Sequence, residues 1–344
     1  MKIFVMLSLT VALVMLFCIV LCPIDYLESE KRYVSEFSIS EVAFCERLPF
    51  REQLMRLNRD VMLALGINEF SGAFFGKNGY IFSNETVSGD VLEKNPLSAK
   101  AFADKNGIST HIALIGSKTD VLVHFLPELY GDERKALWKC DGHVADILPM
   151  LILKGGEGKY IFYRGDHHLT SLGSYYVYKS LSNALGYDAY GASDFSVSVV
   201  KSDFSGSDAR KMLTVTDDRI ALFRYKGDSE YVTENLDTGK KYNGLYDYDK
   251  LFSPDPYGIF PIADCGRAKI TLGEGREMLL LICDSYGDSL APFLARHYDL
   301  DIVDPRYFGG SVKGLIDEND YAKVLFCFGM DTLASKEVLY KLNF

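Results

Sequence analysis

Apolar residues in this chain gather into short dense runs, and the spacing between the runs sets the expected elements. Residues 159–163, Met278–Cys283, 302–303 and 324–328 are bounded by polar residues, as buried strands are. Residues 121–126 have the same look, and residues 134–152 suit a crossover helix leading to the next run. Beyond residue 170, Val177, Leu181, Ala184 and Leu185 recur at helical spacing, with Thr170 to cap the helix and Gly186 to stop it. Residues 289–298 and 311–319 read as two further helices. Strand–helix–strand–helix–strand at this spacing predicts right-handed crossovers and a parallel sheet covered on both faces. Residues 70–82 alternate strand-like side chains with Gly72, Gly76 and Gly79, which predicts a hairpin.

Residues 191–272 break this pattern. They are rich in Ser, Asp, Gly and Tyr, with strand-like runs at 197–200 and 220–225, and they predict a β-rich insertion forming one wall of a cleft. Tyr225, Tyr231, Tyr242, Tyr246, Tyr248 and Tyr257 could stack on sugar rings there, or could pack as amphipathic aromatics do anywhere. The expected fold class is α/β: a doubly wound parallel sheet interrupted by a β-rich insertion.

The longest apolar run is at the start. Residues 3–22 carry only Ser8 and Thr10 as polar interruptions, a length that suits a transmembrane helix. A cleaved signal peptide competes, with Lys2 as its positive start. No small-x-small cleavage pattern follows, however, and Leu21 precedes Cys22 where a lipobox would place a small residue. The expected organisation is residues 1–24 as anchor or signal sequence, 25–68 as a stalk and leading helix, and 69–344 as the α/β domain. A tiny tail before a large domain makes export the simpler expectation, giving a single-pass cell-membrane protein whose main domain is extracytoplasmic.

Composition narrows the partners. Over 344 residues the formal net charge is −10, so there is no basic excess to displace counterions from phosphates, and nucleic acid is not an expected partner. Outside the apolar run the cysteines are Cys45, Cys140, Cys265, Cys283 and Cys327, with no C-x-x-C among them. Neither a zinc knuckle nor a disulfide framework is signalled.

The chemistry concentrates in two stretches. Asp166, His167 and His168 follow one apolar run, and in an extended segment residues 166 and 168 face the same side, so the carboxylate can orient the imidazole. Ser285 follows the apolar run Met278–Cys283 and precedes a helix that can hold Pro292 in its first turn. Backbone N–H groups over residues 285–287 would then be free to meet an oxyanion. A serine needs a neighbouring base. His111 and His124 lack a carboxylate two residues before them. His143 follows Asp141 within an expected helix, where residues two apart do not face each other, and His297 would lie about 18 Å along a helix from Ser285. His168, oriented by Asp166, remains. His167 projects the other way and reads as solvated or bonded within the turn. Tyr286 and Asp284 would position the turn. Arg306 could hold the acceptor or oxyanion, or pair with Asp304 or Asp284.

Asp-His-His followed by Leu169, Thr170, Ser171, Leu172 and Gly173 resembles the signature of the DHHW proteins, which are related to the SGNH hydrolases and similar to the periplasmic enzymes that O-acetylate alginate. The resemblance continues in residues 283–286, 289–294 and 304–308, and more weakly in residues 75–82. It implies a Ser285–His168–Asp166 triad, with His167, Tyr286 and Arg306 as substrate-binding candidates and no cofactor or metal. It implies O-acetyl transfer to a cell-surface or secreted polysaccharide, with a membrane-bound O-acyltransferase as the supplier of acetyl groups. A carbohydrate esterase and a non-catalytic glycan-binding or assembly protein are the alternatives. A two-metal phosphoesterase would need further Asp ligands, and only Asp141-Gly142-His143 stands upstream. The chain departs from the family pattern at Leu169, where Trp is expected, at Gly165, where Thr is expected, and at Cys283, where a basic residue is expected.

Overall fold

The computed structural model describes residues 50–84, 89–127, 144–145, 147–263, 265–273, 275–335 and 337–339, with short pieces at residues 6, 9–13, 26–27 and 32–33 before them. The chain divides into two compact units, Met1–Phe70 and Ser71–Phe344. In the first, Tyr26–Leu27 pairs antiparallel with Arg32–Tyr33, and Arg51–Ala64 is a helix. The anchor expected over residues 3–22 lies mostly outside the described residues, among which no helix is long and apolar enough to cross a membrane.

The second unit opens with the expected hairpin, β1 (Ala73–Phe75) paired antiparallel with β2 (Ile81–Ser83). Next come helix α1 (Gly89–Asn106), strand β3 (Ser109–Ile115), the short helix α2 (Lys118–Val121), strand β4 (Val144–Ala145) and helix α3 (Leu148–Gly156). Helix α4 (Ser171–Leu185) leads to β5 (Phe195–Phe204), helix α5 (Ser207–Lys211), β6 (Asp218–Tyr225), β7 (Val232–Asn235), β8 (Lys241–Asn243) and β9 (Arg267–Thr271). The chain then runs through β10 (Met278–Cys283), α6 (Ala291–Leu294), β11 (Asp299–Val303), α7 (Val312–Glu318), β12 (Lys323–Gly329) and α8 (Met330–Ser335).

Eight strands make the main sheet, in the order β8-β7-β9-β11-β10-β12-β3-β4. From β11 to β4 every pairing is parallel, and from β11 outward to β8 every pairing is antiparallel. The central strands β10 and β12 are buried on both faces, as their apolar runs require. In β10, Leu279, Leu281 and Cys283 enter one core, with Val177, Tyr178 and Leu181 of α4, while Leu280 and Ile282 enter the other. That second core holds Phe102 of α1, Leu315 of α7 and Leu333 of α8.

Several expectations are corrected. Residues 191–272 are only partly a separate insertion. The β5–β6 hairpin stands apart, but β7, β8 and β9 extend the main sheet antiparallel, so the sheet is mixed rather than wholly parallel. The alternating burial along β9 is that of an edge region with one covered face. Residues 121–126 are not a strand. Ser117 and Asp120 form a capping box that starts α2, and a 3-10 turn follows. The strand is the preceding segment β3, whose Ser, Thr and His residues obscured it. Residues 159–163 join no ladder beyond a single bridge between Phe162 and Leu169. Of the helix expected at 134–152, residues 134–143 lie outside the described residues, and the observed helix is α3, with Pro149 in its first turn. The helix expected at 289–298 is reduced to α6, because the surrounding bonds, such as Leu290 N–H to Gly287 O and His297 N–H to Leu294 O, run to the third residue back. Helix α4 is as expected, with Thr170 Oγ1 accepting from the Gly173 N–H and Gly186 at φ 71°.

Candidate active site

Parallel strands put their carboxyl ends on one edge, and three of these ends matter here. Strand β10 delivers Ser285, β3 delivers Lys118, and β11 delivers Arg306. The loop 164–170 before α4 brings Asp166 and His168 to the same edge. His168 Nε2 lies 2.8 Å from Ser285 Oγ, and His168 Nδ1 lies 2.6 Å from Asp166 Oδ1. Hydroxyl, imidazole and carboxylate therefore form one continuous hydrogen-bonded chain, with Asp166 and His168 both buried.

The local cause differs from the one the sequence suggested. Residues 164–168 are bent, not extended. Asp166 Oδ1 also accepts the His168 N–H at 2.9 Å, an Asx-turn that folds the carboxylate onto its own loop. The bend also removes the expected opposition of the two imidazoles. The His167 ring lies against the His168 ring at 3.8 Å between centroids, and its Nδ1 meets Ser207 Oγ at 3.0 Å.

The outer oxygen of Asp166 accepts from the Ser207 N–H at 2.7 Å and from Ser207 Oγ at 3.2 Å. Burial alone would raise this carboxyl. The two imidazoles, with the His168 and Ser207 hydrogen bonds, outweigh it and hold the group well below the usual carboxylate range. The carboxylate is thus present as an anion to hold the imidazole. A β-carbon on Gly206 would overlap Asp166 Cβ and Oδ2, so only glycine lets the 206–207 backbone come this close.

Two buried ions fix the loop from either side. The Lys118 ammonium donates to the carbonyls of Tyr163 (3.3 Å), Arg164 (3.2 Å) and Asp166 (2.7 Å), and pairs with Asp208 at 2.9 Å. The Asp218 carboxylate accepts the Arg164 N–H at 2.8 Å, the Gly165 N–H at 2.7 Å, Thr216 Oγ1 at 2.8 Å and the Tyr160 hydroxyl. The hairpin of residues 75–82 contributes as well, since the Ile81 N–H donates to the Arg164 carbonyl at 2.8 Å. Gly165 stands where the family pattern expects Thr, and a β-carbon there would overlap Thr216 Oγ1 and Ala209 Cβ. Here Thr216 fills that space with a hydroxyl of its own.

On the serine side, Asp284 accepts the Tyr286 N–H and the Gly329 N–H, both at 3.0 Å, and burial pushes its carboxyl up. The Tyr286 hydroxyl donates to the His167 carbonyl at 2.9 Å, tying the two loops together. The expectation of free N–H groups across residues 285–287 is corrected. Tyr286 donates to Asp284 Oδ1 and Gly287 donates to the Asp284 carbonyl. Among the described residues, the Ser285 N–H takes no acceptor. Cys283 is buried against Gly287, whose β-carbon would overlap its sulfur, so a larger basic side chain has no room there. Arg306 forks onto Asp304, with its Nη2 2.6 Å from Oδ2, and takes the ion-pair alternative.

Of the tyrosines expected in the insertion, Tyr231, Tyr246 and Tyr257 are buried and Tyr248 is exposed beside Arg224. Tyr257 stacks on His168, not on an open platform. Lys118, Ser207, Asp208 and Asp218 were not singled out by sequence, because single polar residues far from the motif carry no local signal of burial. Ligand atoms of Asp166, His167 and His168 lie within 4.8 Å of one another and could approach a cation, but Asp166 Oδ1 is engaged with His168 Nδ1 and His168 Nε2 with Ser285 Oγ. The arrangement is suited to lowering the cost of removing a proton from Ser285.

The profile of the DHHW family, described as DHHW protein, matches residues 137–303, a span containing both the Asp-His-His loop and Ser285. A DHHW family protein from Eubacterium siraeum has the same fold, at a TM-score of 0.64 and 18% identity over 78% of this chain and 94% of that one. PatB1 from Bacillus cereus, also solved with a sulfonyl adduct, matches with a TM-score of 0.63 and 17% identity over 76% of this chain and 97% of that one. The O-acetyltransferase domain of AlgJ from Pseudomonas putida gives a TM-score of 0.49 and 12% identity over 77% of this chain and 93% of that one. No curated protein matches the chain. The resemblance to DHHW proteins read from the two motifs is borne out.

Proposed function

We propose that this protein is a serine acyl enzyme that transfers O-acetyl groups to a cell-surface or secreted polysaccharide. The observation that carries the reading is the unbroken chain from Ser285 Oγ through His168 to Asp166, at 2.8 and 2.6 Å. Asp166 and His168 are buried and Ser285 is partly exposed, so the hydroxyl can be reached while its partners are held in place. Such a constellation matches the roles of nucleophile, base and orienter.

In the proposed reaction His168 Nε2 takes the proton of Ser285 Oγ as that oxygen attacks an acetyl carbonyl. The Ser285 N–H is the nearest backbone donor for the developing oxyanion. The donor's leaving group departs with the proton from His168, leaving acetyl-serine. A sugar hydroxyl then gives its proton to the same imidazole as it attacks the acetyl carbon, and the imidazolium returns that proton to Ser285 Oγ as the acetyl–serine bond breaks. Water in place of the sugar would make the same residues an esterase.

The apolar run at residues 3–22 supports a membrane-anchored enzyme with an extracytoplasmic domain, supplied with acetyl groups by a membrane-bound O-acyltransferase. Protease added to intact cells would then digest the domain without lysis.

The test is intact-protein mass spectrometry after exposure to an activated acetyl ester or an aryl sulfonyl fluoride. One acyl or sulfonyl group on Ser285, absent from Ser285→Ala, supports the reading. An unmodified wild-type protein, with no ester turnover, refutes it. Adding candidate oligosaccharides then separates transfer from hydrolysis by whether acetyl appears on sugar or as acetate.

A further inference from the structure

We propose that Tyr257 positions His168 and favours its charged form while Ser285 gives up its proton, an inference that rests on the acyl-transfer reading above. The two rings lie nearly parallel, 9° apart, with centroids separated by 4.0 Å. The phenol hydroxyl is committed elsewhere. It reaches the Ser285 carbonyl at 3.3 Å and Ser289 Oγ at 3.2 Å, and Ser289 Oγ meets Ser174 Oγ at 2.7 Å. One side chain therefore holds the base with its face and the backbone of the nucleophile with its tip.

The edges of the His168 ring are already occupied, Nδ1 by Asp166 and Nε2 by Ser285. A face is what remains from which the protein can favour charge. An aromatic face carries the negative part of the ring's quadrupole and attracts a cation, while a neutral imidazole gains little from it. The stack therefore gains strength as the proton moves from Ser285 to His168, which is when stabilisation speeds the reaction.

Other groups face the same ring. His167 lies at 3.8 Å and Tyr286 at 5.9 Å between centroids, with the Asp166 carboxylate on the edge. Behind His167 the charges of Lys118 and Asp208 are paired with each other, and Asp288 lies toward Tyr257. Burial raises the Tyr257 and Tyr286 hydroxyls well above the usual phenol range, so both rings stay neutral. Tyr257 comes from the segment expected to supply sugar-stacking aromatics, and the geometry points it at the base instead.

The test uses the full-length protein and two readouts: NMR titration of the His168 ring, and the pH dependence of kcat/KM toward a chromogenic acetyl ester. Tyr257→Leu is expected to move the ring's midpoint and the acid limb to lower pH by about 0.5–1 unit, with a fall of about 3–10-fold in kcat and little change in KM. Tyr257→Phe keeps the face and should leave the midpoint in place. If the Leu variant fails to fold, difluorinated phenylalanine at position 257 weakens the face without changing its shape, and the midpoint should drop below that of Tyr257→Phe. An unmoved midpoint in the Leu or difluorinated variant overturns the inference, as does a Phe variant shifted as far as Leu. A shifted midpoint in a protein without ester turnover would uphold the stack and remove the acyl-transfer reading. Turnover with an unshifted midpoint would do the reverse.

Discussion

The backbone of Gly206 passes so close to the Asp166 carboxylate that the two residues share the space a single β-carbon would need. The close approach lets the next N–H, from Ser207, reach Asp166 Oδ2 at 2.7 Å. Gly206→Ala should push the carboxylate out of line with His168. We expect a loss of roughly a hundredfold in ester turnover, since misplacement by an ångström costs about that much. Thermal unfolding should show about 1–3 kcal/mol of destabilisation from the overpacking. A variant with wild-type turnover would mean that the loop absorbs the methyl group without moving Asp166.

Asp166→Asn keeps the shape and removes the acceptor that fixes the His168 tautomer. Turnover should fall by about three to four orders of magnitude, with a much smaller change in KM. Steady-state kinetics on a chromogenic acetyl ester measure it.

Lys118 and Asp208 form an ion pair with side chains 4% and 0% exposed. Lys118→Met leaves the buried Asp208 carboxylate with the Ser83 hydroxyl at 2.6 Å and the more distant Lys211 ammonium at 3.9 Å, and should cost about 3 kcal/mol in denaturant unfolding. Combining it with Asp208→Leu should recover much of that stability, because a buried pair replaced by apolar groups is often near neutral. Activity should not recover in the double variant, since the loop loses the ammonium that gathers the Tyr163, Arg164 and Asp166 carbonyls.

Gly165→Thr restores the residue expected from the family but collides with Thr216. The single substitution should destabilise the protein, and Gly165→Thr combined with Thr216→Ala should relieve it. A double-mutant cycle on unfolding is expected to show coupling of about 1 kcal/mol or more.

His297 stacks on Tyr187 and bonds to the Tyr178 hydroxyl at 2.8 Å. Burial, with Arg276 and Arg296 nearby, pushes its pKa down to about 4 from an ordinary 6.5. The unfolded chain then binds a proton in this window that the folded chain does not. The contribution is therefore whole above pH 6.5 and is lost as pH falls toward 4. Allowing for partial exposure, about 1 kcal/mol should be gone by pH 5, or about 2–4 °C in Tm. His297→Gln should flatten the Tm–pH curve over that range. Asp166 works in the same direction at lower pH, since its depressed pKa gives stability that is lost as the carboxylate protonates.

What the chain revealed directly were its locally determined parts. The unbroken apolar runs gave β10 and β12, because a strand buried on both faces has no polar position to spare. Thr170 and Gly186 gave the ends of α4 through their own cap chemistry. Asp166 and His168 were legible as a carboxylate and imidazole two positions apart, and Ser285 as the hydroxyl that follows an apolar run; the structure brings the three together. β3 was missed because Ser109, Thr110 and His111 begin it, and its neighbour 121–126 looked apolar enough to replace it. The edge strands β7 to β9 were read as insertion because half their residues face water. Lys118 and Asp218 were illegible as site residues, and so was the stacking of Tyr257 on His168, for another reason. Their effect comes from charges and rings brought in from 40 to 90 positions away, and nothing near them in the chain records that.

The sheet order also sets when this site can exist. Strand β12, the last of the sheet to be made, lies between β10, which carries Ser285, and β3, which carries Lys118; its final residue, Gly329, donates to Asp284 beside Ser285. Until β12 has inserted, the sheet is split down the middle and the hydroxyl has no rigid base across from it. A chain that has not yet added this strand would therefore lack the assembled pocket, and its reactivity toward activated esters is expected to appear only as the fold is completed.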